Sequence, residues 1–93
     1  MIRTSSSKQT ERLFNRKRVA EFVNIERAAL RRLTALNNAV VLSDLRIPPG
    51  NALEALQGNR QGQHSIRIND QYRICFTWKE DGAHDVEITK HYR

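Results

Sequence analysis

The chain has 93 residues, which is room for one domain, and we expect that domain to span residues 1–93. Its 39% apolar and 28% charged residues are typical of a folded globular protein, and its single cysteine excludes an internal disulfide. We find neither a run of ~18 apolar residues, as a membrane span requires, nor a secretory signal, so the sequence favours a cytoplasmic protein without membrane contact.

The positive charge lies in the first third of the chain. The formal net charge is +6, and residues 1–32 hold nine lysines and arginines against three glutamates, whereas residues 33–93 hold seven charges of each sign. Such a field attracts polyanions such as nucleic acid. An ordinary solvated helix surface can have the same composition, so charge alone leaves both interpretations open.

Two helices are predicted before residue 40. The first covers residues 10–18, with Thr10 as its N-cap and with the densest basic run, Arg16-Lys17-Arg18, at its end. The second covers residues 24–39, with Asn24 as its N-cap. Its apolar residues recur at spacings of three and four and therefore form one stripe: Ile25, Ala29, Leu33, Leu36 and Val40. Its four charged residues fall largely off that stripe and would face water or a partner: Glu26, Arg27, Arg31 and Arg32.

The last third of the chain predicts three antiparallel strands. The Pro-Pro-Gly-Asn segment at 48–51 cannot continue a helix, and we expect a loop or short turn over residues 53–62. Residues 64–68, 72–78 and 85–89 alternate in polarity, with turns at 69–71 and 79–84. The expected fold is α+β, with two N-terminal helices packed on a small antiparallel β-sheet.

Side-chain parity divides the sheet into a face covered by the helices and an open face. The covered face carries Ile66, Ile68, Tyr72, Ile74, Phe76, Trp78, Val86 and Ile88. The open face carries Ser65, Arg67, Arg73, Cys75, Thr77, Glu87, Thr89 and, if the last strand continues, His91. His64 lies on the covered side, where a structural role is expected.

Two arginines on the open face are candidates for binding an anion. Arg67 and Arg73 flank one tight hairpin in a charge-balanced half of the chain. The alternative is that both are ordinary solvent-facing residues, one of them paired with Glu87 across the sheet. Cys75 has no activating partner in the sequence and is expected to be a buried thiol. The three histidines lack the spacing of metal ligands, and no glycine pattern matches a nucleotide-binding loop, so we expect no metal and no cofactor.

A long motif resembles a known family. Residues 56–76, LQGNRQGQHSIRINDQYRICF, are similar to the core of HigB-like toxins of the RelE/ParE superfamily. These toxins share the pattern L-x-G-x-R-x-G-x-x-S-I-R-(V/I)-N-D-x-(W/Y)-R-(I/L)-x-F, followed by V-E-I. Residues 45–54, LRIPPGNALE, resemble a second family segment, and the resemblance extends over nearly the whole chain.

The resemblance implies a function and its partners. It implies a RelE-like fold and a toxin of a type II toxin–antitoxin system. A HigA-like helix-turn-helix antitoxin would neutralise this toxin. The toxin would contact operator DNA only through the antitoxin. The resemblance also implies inhibition of translation by cleavage of messenger RNA on the ribosome without a metal. In that reaction the ribose 2′-hydroxyl attacks the adjacent phosphate, which leaves a 2′,3′-cyclic phosphate and a free 5′-hydroxyl.

This chemistry assigns expected roles to the open face. Arg67 and Arg73 would bind phosphate, and Arg60 would add a third contact. His91 is the candidate general acid or base, because the pKa of an unperturbed histidine lies near neutrality, and Tyr92 would act as an acid or stack on a base. Four further basic residues are expected to contact RNA or the ribosome: Arg16, Lys17, Arg18 and Lys90.

The chain departs from the family pattern at its end. Many members have an Asp-Tyr-His-like tail where this chain has Lys90-His91-Tyr92, and some have a histidine and a lysine where this chain has Glu54 and Gln57. Lys90 would then neutralise phosphate and Glu54 would replace a base. Two alternatives stay open: a ParE-like binder that inhibits the ribosome or DNA gyrase without cutting, and a purely regulatory co-repressor bound to its antitoxin.

Overall fold

The fold is α+β, as predicted: two helices pack on a four-stranded antiparallel sheet. The computed structural model describes residues 1–90. The helices are α1 (Lys8–Phe14) and α2 (Glu26–Asn38), and the strands are β1 (Glu54–Ala55), β2 (His64–Arg67), β3 (Tyr72–Lys79) and β4 (Gly82–Lys90). The strand order is β1-β2-β3-β4. Single 3-10 turns connect these elements at Ala20–Phe22, Leu42–Arg46, Pro49–Asn51 and Gly58–Arg60.

Helix α1 begins and ends earlier than predicted. Its N-cap is Ser7, whose hydroxyl accepts a hydrogen bond from the backbone N–H of Thr10 at 3.2 Å. The prediction of Thr10 as the N-cap was therefore wrong: Thr10 is fully buried, and its hydroxyl accepts from the backbone N–H of Ile88 at 2.9 Å. The helix stops at Phe14 because the chain turns at Arg16, which has a left-handed φ of 66°.

Helix α2 matches its predicted range to within two residues at the start and one at the end. Four residues of the predicted stripe are buried: Ile25, Ala29, Leu33 and Leu36. Val40 is 81% exposed, contrary to the prediction, because the chain leaves the helix in an extended conformation at Ala39. Asn24 is not the N-cap either; that position is Ile25, which makes no side-chain capping bond.

The sheet has one strand more than predicted. Strand β1 lies in the segment expected to be a loop and pairs with β2 through Glu54 opposite Ser65 and Ala55 opposite His64. The predicted hairpin between β2 and β3 is confirmed, with Arg67 directly opposite Arg73.

Strand β4 begins at Gly82, three residues earlier than predicted. A bulge in this strand interrupts the alternation of side chains on which the prediction was based. The register against β3 shifts between Cys75 and Thr77, and Asp85 has a left-handed φ of 53°. The extra residue lets Ala83 and Val86, three positions apart, both lie in the core. Simple alternation therefore described only the second half of this strand.

The division of the sheet into two faces is confirmed. The apolar side chains of β2, β3 and β4 pack with both helices in one buried cluster. His64 lies on this side, as expected, and its ring stacks on Phe76 with centroids 6.3 Å apart. The other face stays uncovered by the helices and carries the polar side chains.

Candidate active site

A hollow of about 480 Å³ lies on the open face of the sheet. All four strands contribute to its wall, together with the turn before β2. The lining residues are Glu54, Leu56, Arg60, Ser65, Arg73, Cys75, Thr89 and Lys90. The antiparallel register explains this convergence, because it aligns Glu54, Ser65, Cys75 and Glu87 in one row and Arg67, Arg73 and Thr89 in the next.

Arg73 is the most constrained side chain of the hollow. It is 9% exposed, and its Nε donates to the Ser65 hydroxyl at 2.8 Å. Its Nη2 donates to the carbonyl of Ala52 at 2.8 Å and lies 3.3 Å from the Glu54 carboxylate. Within residues 1–90, Nη1 has no hydrogen-bond acceptor. The guanidinium is therefore held on the edge formed by Nε and Nη2.

Arg60 reaches the hollow from the turn before β2. Its Nη1 donates to Gln63 at 3.0 Å, and its Nη2 donates to Glu87 at 3.1 Å. In the described residues Glu87 therefore pairs with Arg60, and the alternative in which it pairs with Arg67 or Arg73 across the sheet is not found. The turn that carries Arg60 has left-handed residues on both sides, Gly58 at φ 64° and Gly62 at φ 94°, where a side chain would be strained.

The charges of the hollow are mixed and sum to a small positive excess. Arg60, Arg73 and Lys90 supply three positive charges, while Glu54 and the adjoining Glu87 supply two negative ones. Both carboxylates are at the surface, with 51% and 34% of their side chains exposed. Two of the three cations, Arg60 and Arg73, therefore already have anionic partners.

Cys75 is buried, as predicted. Only 3% of it is exposed, although it borders the hollow. Burial raises the pKa of its thiol, an effect that the nearby Arg60 opposes. The raised pKa favours the thiol over the thiolate, the form in which a cysteine acts as a nucleophile.

Arg67 lies beside the hollow and is absent from its lining. Its side chain turns toward the β2–β3 hairpin, where Nε donates to the carbonyl of Asn69 at 3.2 Å and Nη2 forms an ion pair with Asp70. The structure thus brings Arg60, Arg73 and Lys90 together and places Arg67 next to them. His91 and Tyr92 lie outside the described residues.

The basic run after α1 belongs to a second surface. Two adjoining hollows of about 560 and 330 Å³ share Arg16 and Leu30. Their basic residues are Arg16, Lys17, Arg18, Arg27, Arg31 and Arg32. In the described part of the chain none of these six forms an ion pair. This surface joins the basic run to the charged side of α2, which the helical spacing had placed toward water or a partner.

Two elements of the hollow were absent from the sequence prediction as functional groups. Ser65 was placed on the open face, but nothing in the sequence pairs it with Arg73. The carbonyl of Ala52 enters the site because Ala52 adopts a left-handed conformation with φ 47°. The only sequence signal for it is the preceding Pro-Pro-Gly-Asn segment, which predicts a turn without its direction.

Two classes of site are not found in the described residues. Across residues 1–90, no cluster of three or more His, Cys, Asp or Glu side chains is placed to hold a metal ion. Over the same residues, no helix has the length and apolarity to cross a membrane.

Comparison with known proteins gives a consistent result. The family model described as "RelE-like toxin of type II toxin-antitoxin system HigB" matches residues 6–91. Toxin HigB-1 of Vibrio cholerae serotype O1 is 47% identical over 68 residues, which cover 73% of this chain and 72% of that protein. An uncharacterized protein of Haemophilus influenzae is 29% identical over 68 residues, covering 73% and 67%. The solved YoeB-YefM complex from Staphylococcus aureus shares the fold, with a TM-score of 0.63 at 17% identity over 99% of both chains.

Proposed function

The chain belongs to the HigB-like family of RelE-like toxins of type II toxin–antitoxin systems, and on that premise we propose that it inhibits translation by cutting messenger RNA on the ribosome. The observation that carries the proposal is the guanidinium of Arg73, which two hydrogen bonds hold in a hollow of small positive excess, with Nη1 free of any acceptor in residues 1–90. A fixed guanidinium is suited to a phosphate oxygen, because its planar donors match phosphate geometry.

The phosphate-binding set comprises Arg73, Arg60 and Lys90. All three line the same hollow, and we propose that their charges together attract the phosphate. Such cations stabilise the negative charge that develops on phosphorus-bound oxygens in the transition state. Arg67, directly opposite Arg73 on β2, is placed to contact a neighbouring phosphate once it leaves Asp70.

Cleavage also requires a base and an acid. Glu54 lies 3.3 Å from the Arg73 guanidinium, so a phosphate bound by Arg73 comes within reach of this carboxylate. In the proposed step Glu54 takes the proton of the ribose 2′-hydroxyl as the 2′-oxygen bonds to phosphorus. The bond from phosphorus to the 5′-oxygen breaks, and His91 supplies the proton that the departing oxygen needs. Tyr92 acts as an alternative acid or stacks on a base.

The products are a 2′,3′-cyclic phosphate and a 5′-hydroxyl, and the step uses side chains alone, with no metal or cofactor. The ribosome is the expected site of the reaction, which places the protein in the cytoplasm. The basic surface formed by Arg16, Lys17 and Arg18 is proposed to contact ribosomal RNA, because its cations have no acidic partner in residues 1–90 and phosphate contacts supply most of the affinity for RNA.

The proposed protein partner is a HigA-like helix-turn-helix antitoxin, through which the toxin reaches operator DNA. Family membership supports an antitoxin partner, and the similar solved structure is itself a complex, YoeB-YefM.

One feature of the hollow favours a second candidate function. Arg60 and Arg73 are each engaged by a glutamate in the free protein. A hollow masked in this way suits a toxin that binds the ribosome or DNA gyrase without cutting. A third possibility, a co-repressor role with the antitoxin, is compatible with either.

The test compares translated and untranslated copies of one message after toxin expression. Primer extension is expected to find new 5′ ends inside the coding region only when the start codon is intact. Arg73→Gln is expected to remove these new 5′ ends. Arg46→Gln is the matched control, because Arg46 is exposed and lines neither the hollow around Arg73 nor the basic surface after α1, and it should keep them. Growth arrest with intact messages, or equal cutting by Arg73→Gln, would contradict the proposal, and DNA damage in such cells would select the gyrase alternative.

A further inference from the structure

Ser65 is a fully buried hydroxyl on the face of the sheet that the helices leave uncovered. It is 0% exposed, and it lies on β2 next to the cross-strand pair of Arg67 and Arg73. Its hydroxyl oxygen accepts from Nε of Arg73 at 2.8 Å. A fully buried hydroxyl that receives a charged donor makes a stronger bond than the same contact in water.

The carbonyl of Ala52 holds the same guanidinium from another direction. It accepts from Nη2 of Arg73 at 2.8 Å. Ala52 has a left-handed φ of 47°, which an alanine rarely adopts, so the surrounding structure must impose it. The preceding residue supplies that restraint: Asn51 is fully buried, and its amide donates to the carbonyls of Leu45 and Ile47 at 3.2 and 3.3 Å.

We propose that Ser65 and the left-handed Ala52 carbonyl form a clamp that positions the Arg73 guanidinium for the scissile phosphate. Ser65 is thus a positioning residue, because it acts through Arg73 rather than on RNA. The effect of the clamp on cleavage rests on the proposed function, whereas the hydrogen bonds that hold Arg73 can be tested without any cleavage.

The clamp matters because arginine is long and flexible. A free guanidinium samples many positions, whereas a donor fixed before the substrate arrives needs no reorganisation when charge develops on the phosphate. Two bonds to different elements fix both the place and the plane of the group. Glu54 alone cannot do this, since it approaches the guanidinium at 3.3 Å from a half-exposed position.

The first experiment measures the clamp without any activity. In ¹⁵N-labelled protein, the Nε–H signal of Arg73, assigned by its loss in Arg73→Lys, is expected to exchange slowly with water. Ser65→Ala is expected to speed this exchange at least tenfold. The Nε–H of Arg32, which donates to the carbonyl of Arg67 at 2.9 Å on an exposed part of the surface, is the internal control and should not change.

The second experiment measures the consequence for cleavage on programmed ribosomes. Ser65→Ala is expected to lower the single-turnover rate by about 10- to 100-fold, the scale of a misplaced catalytic contact, and to leave message affinity nearly unchanged. In the Arg73→Lys background, which lacks Nε, the same substitution should have no further effect. Ser65→Thr, which keeps the hydroxyl, should restore the slow Nε–H exchange and much of the rate.

A matched control separates positioning from stability. Thr10→Val removes another fully buried hydroxyl, whose partner is the backbone N–H of Ile88. It should lower thermal stability and leave the cleavage rate of the folded protein unchanged.

Fast Nε–H exchange in the wild type, or equal rate losses from Ser65→Ala in the wild-type and Arg73→Lys backgrounds, would overturn the proposal. Slow exchange in a wild-type protein that does not cut message would instead overturn the proposed function and leave the clamp standing.

Discussion

Replacing Glu54 by glutamine is expected to move RNA affinity and RNA cleavage in opposite directions. The substitution keeps the size of the side chain and removes its negative charge. The Glu54 carboxylate lies 3.3 Å from Nη2 of Arg73, so the loss of its charge leaves the guanidinium more available to phosphate. The same change removes the proposed base for the 2′-hydroxyl proton.

The structure sets the size of each effect. The Glu54 side chain is 51% exposed, so solvent screening limits its ion pair with Arg73 to about 0–1 kcal/mol. Its loss should therefore tighten message binding by no more than about fivefold. Loss of a general base typically slows a reaction by about 10²- to 10⁴-fold. The catalytic effect is the larger one, so toxicity should fall although binding improves.

The assay separates the two quantities. Affinity is measured by filter binding of ribosomes programmed with a message that carries a 2′-deoxynucleotide at the cut site, and the rate is measured by single-turnover cleavage of the ribose message. Glu80→Gln, the same change at an exposed residue in the β3–β4 turn, is the control. Cleavage by Glu54→Gln within about threefold of the wild-type rate would refute the role of Glu54 as the base.

Three further predictions concern stability and titration. Asn51→Ala should lower the free energy of unfolding by about 1–3 kcal/mol in urea titrations, because the carbonyls of Leu45 and Ile47 lose their donor, the first of them in a buried bond; an unchanged midpoint would contradict this. The backbone N–H groups of Val40 and Val41 lower the pKa of Asp44. The ionised Asp44 therefore stabilises the fold above the ordinary aspartate pKa, and this stabilisation is lost as pH falls through the lowered pKa. In an acid titration, Asp44→Asn should lose less stability than the wild type does. Burial raises the pKa of Cys75, so Ellman's reagent at pH 8 should modify this thiol slowly in the folded protein and rapidly in urea. Equally rapid modification of the folded and the unfolded protein would refute the burial of Cys75.

The sequence predicted the fold because its apolar spacing is regular where packing decides structure. Helix α2 and the strands around the β2–β3 hairpin each pack one apolar face into the core, and the periods of 3.6 and 2 predict such a face directly. One error came from local hydrogen bonds that outweigh composition. Thr10 has the side chain of an N-cap residue, but its hydroxyl accepts a hydrogen bond from the backbone N–H of Ile88 on β4, and Ser7 caps the helix instead.

The candidate site was predictable only in part. Parity placed Arg73 and Ser65 on the open face, and the family motif drew attention to Arg60. The other contacts of Arg73 depend on β1, which supplies Glu54 but at two residues is too short to show periodicity, and on the left-handed Ala52, which composition disfavours. The side-chain turn of Arg67 toward Asp70 is a rotamer choice that strand parity does not specify.

The most direct test of cleavage by the 2′-hydroxyl uses purified protein and ribosomes programmed with one defined message. We predict that the ribose message is cut to a 2′,3′-cyclic phosphate and a 5′-hydroxyl, and that a single 2′-deoxynucleotide at the cut site abolishes cutting without weakening binding. Cutting of the deoxy message, or binding of the ribose message without any cut, would contradict the proposed role of the hollow around Arg73.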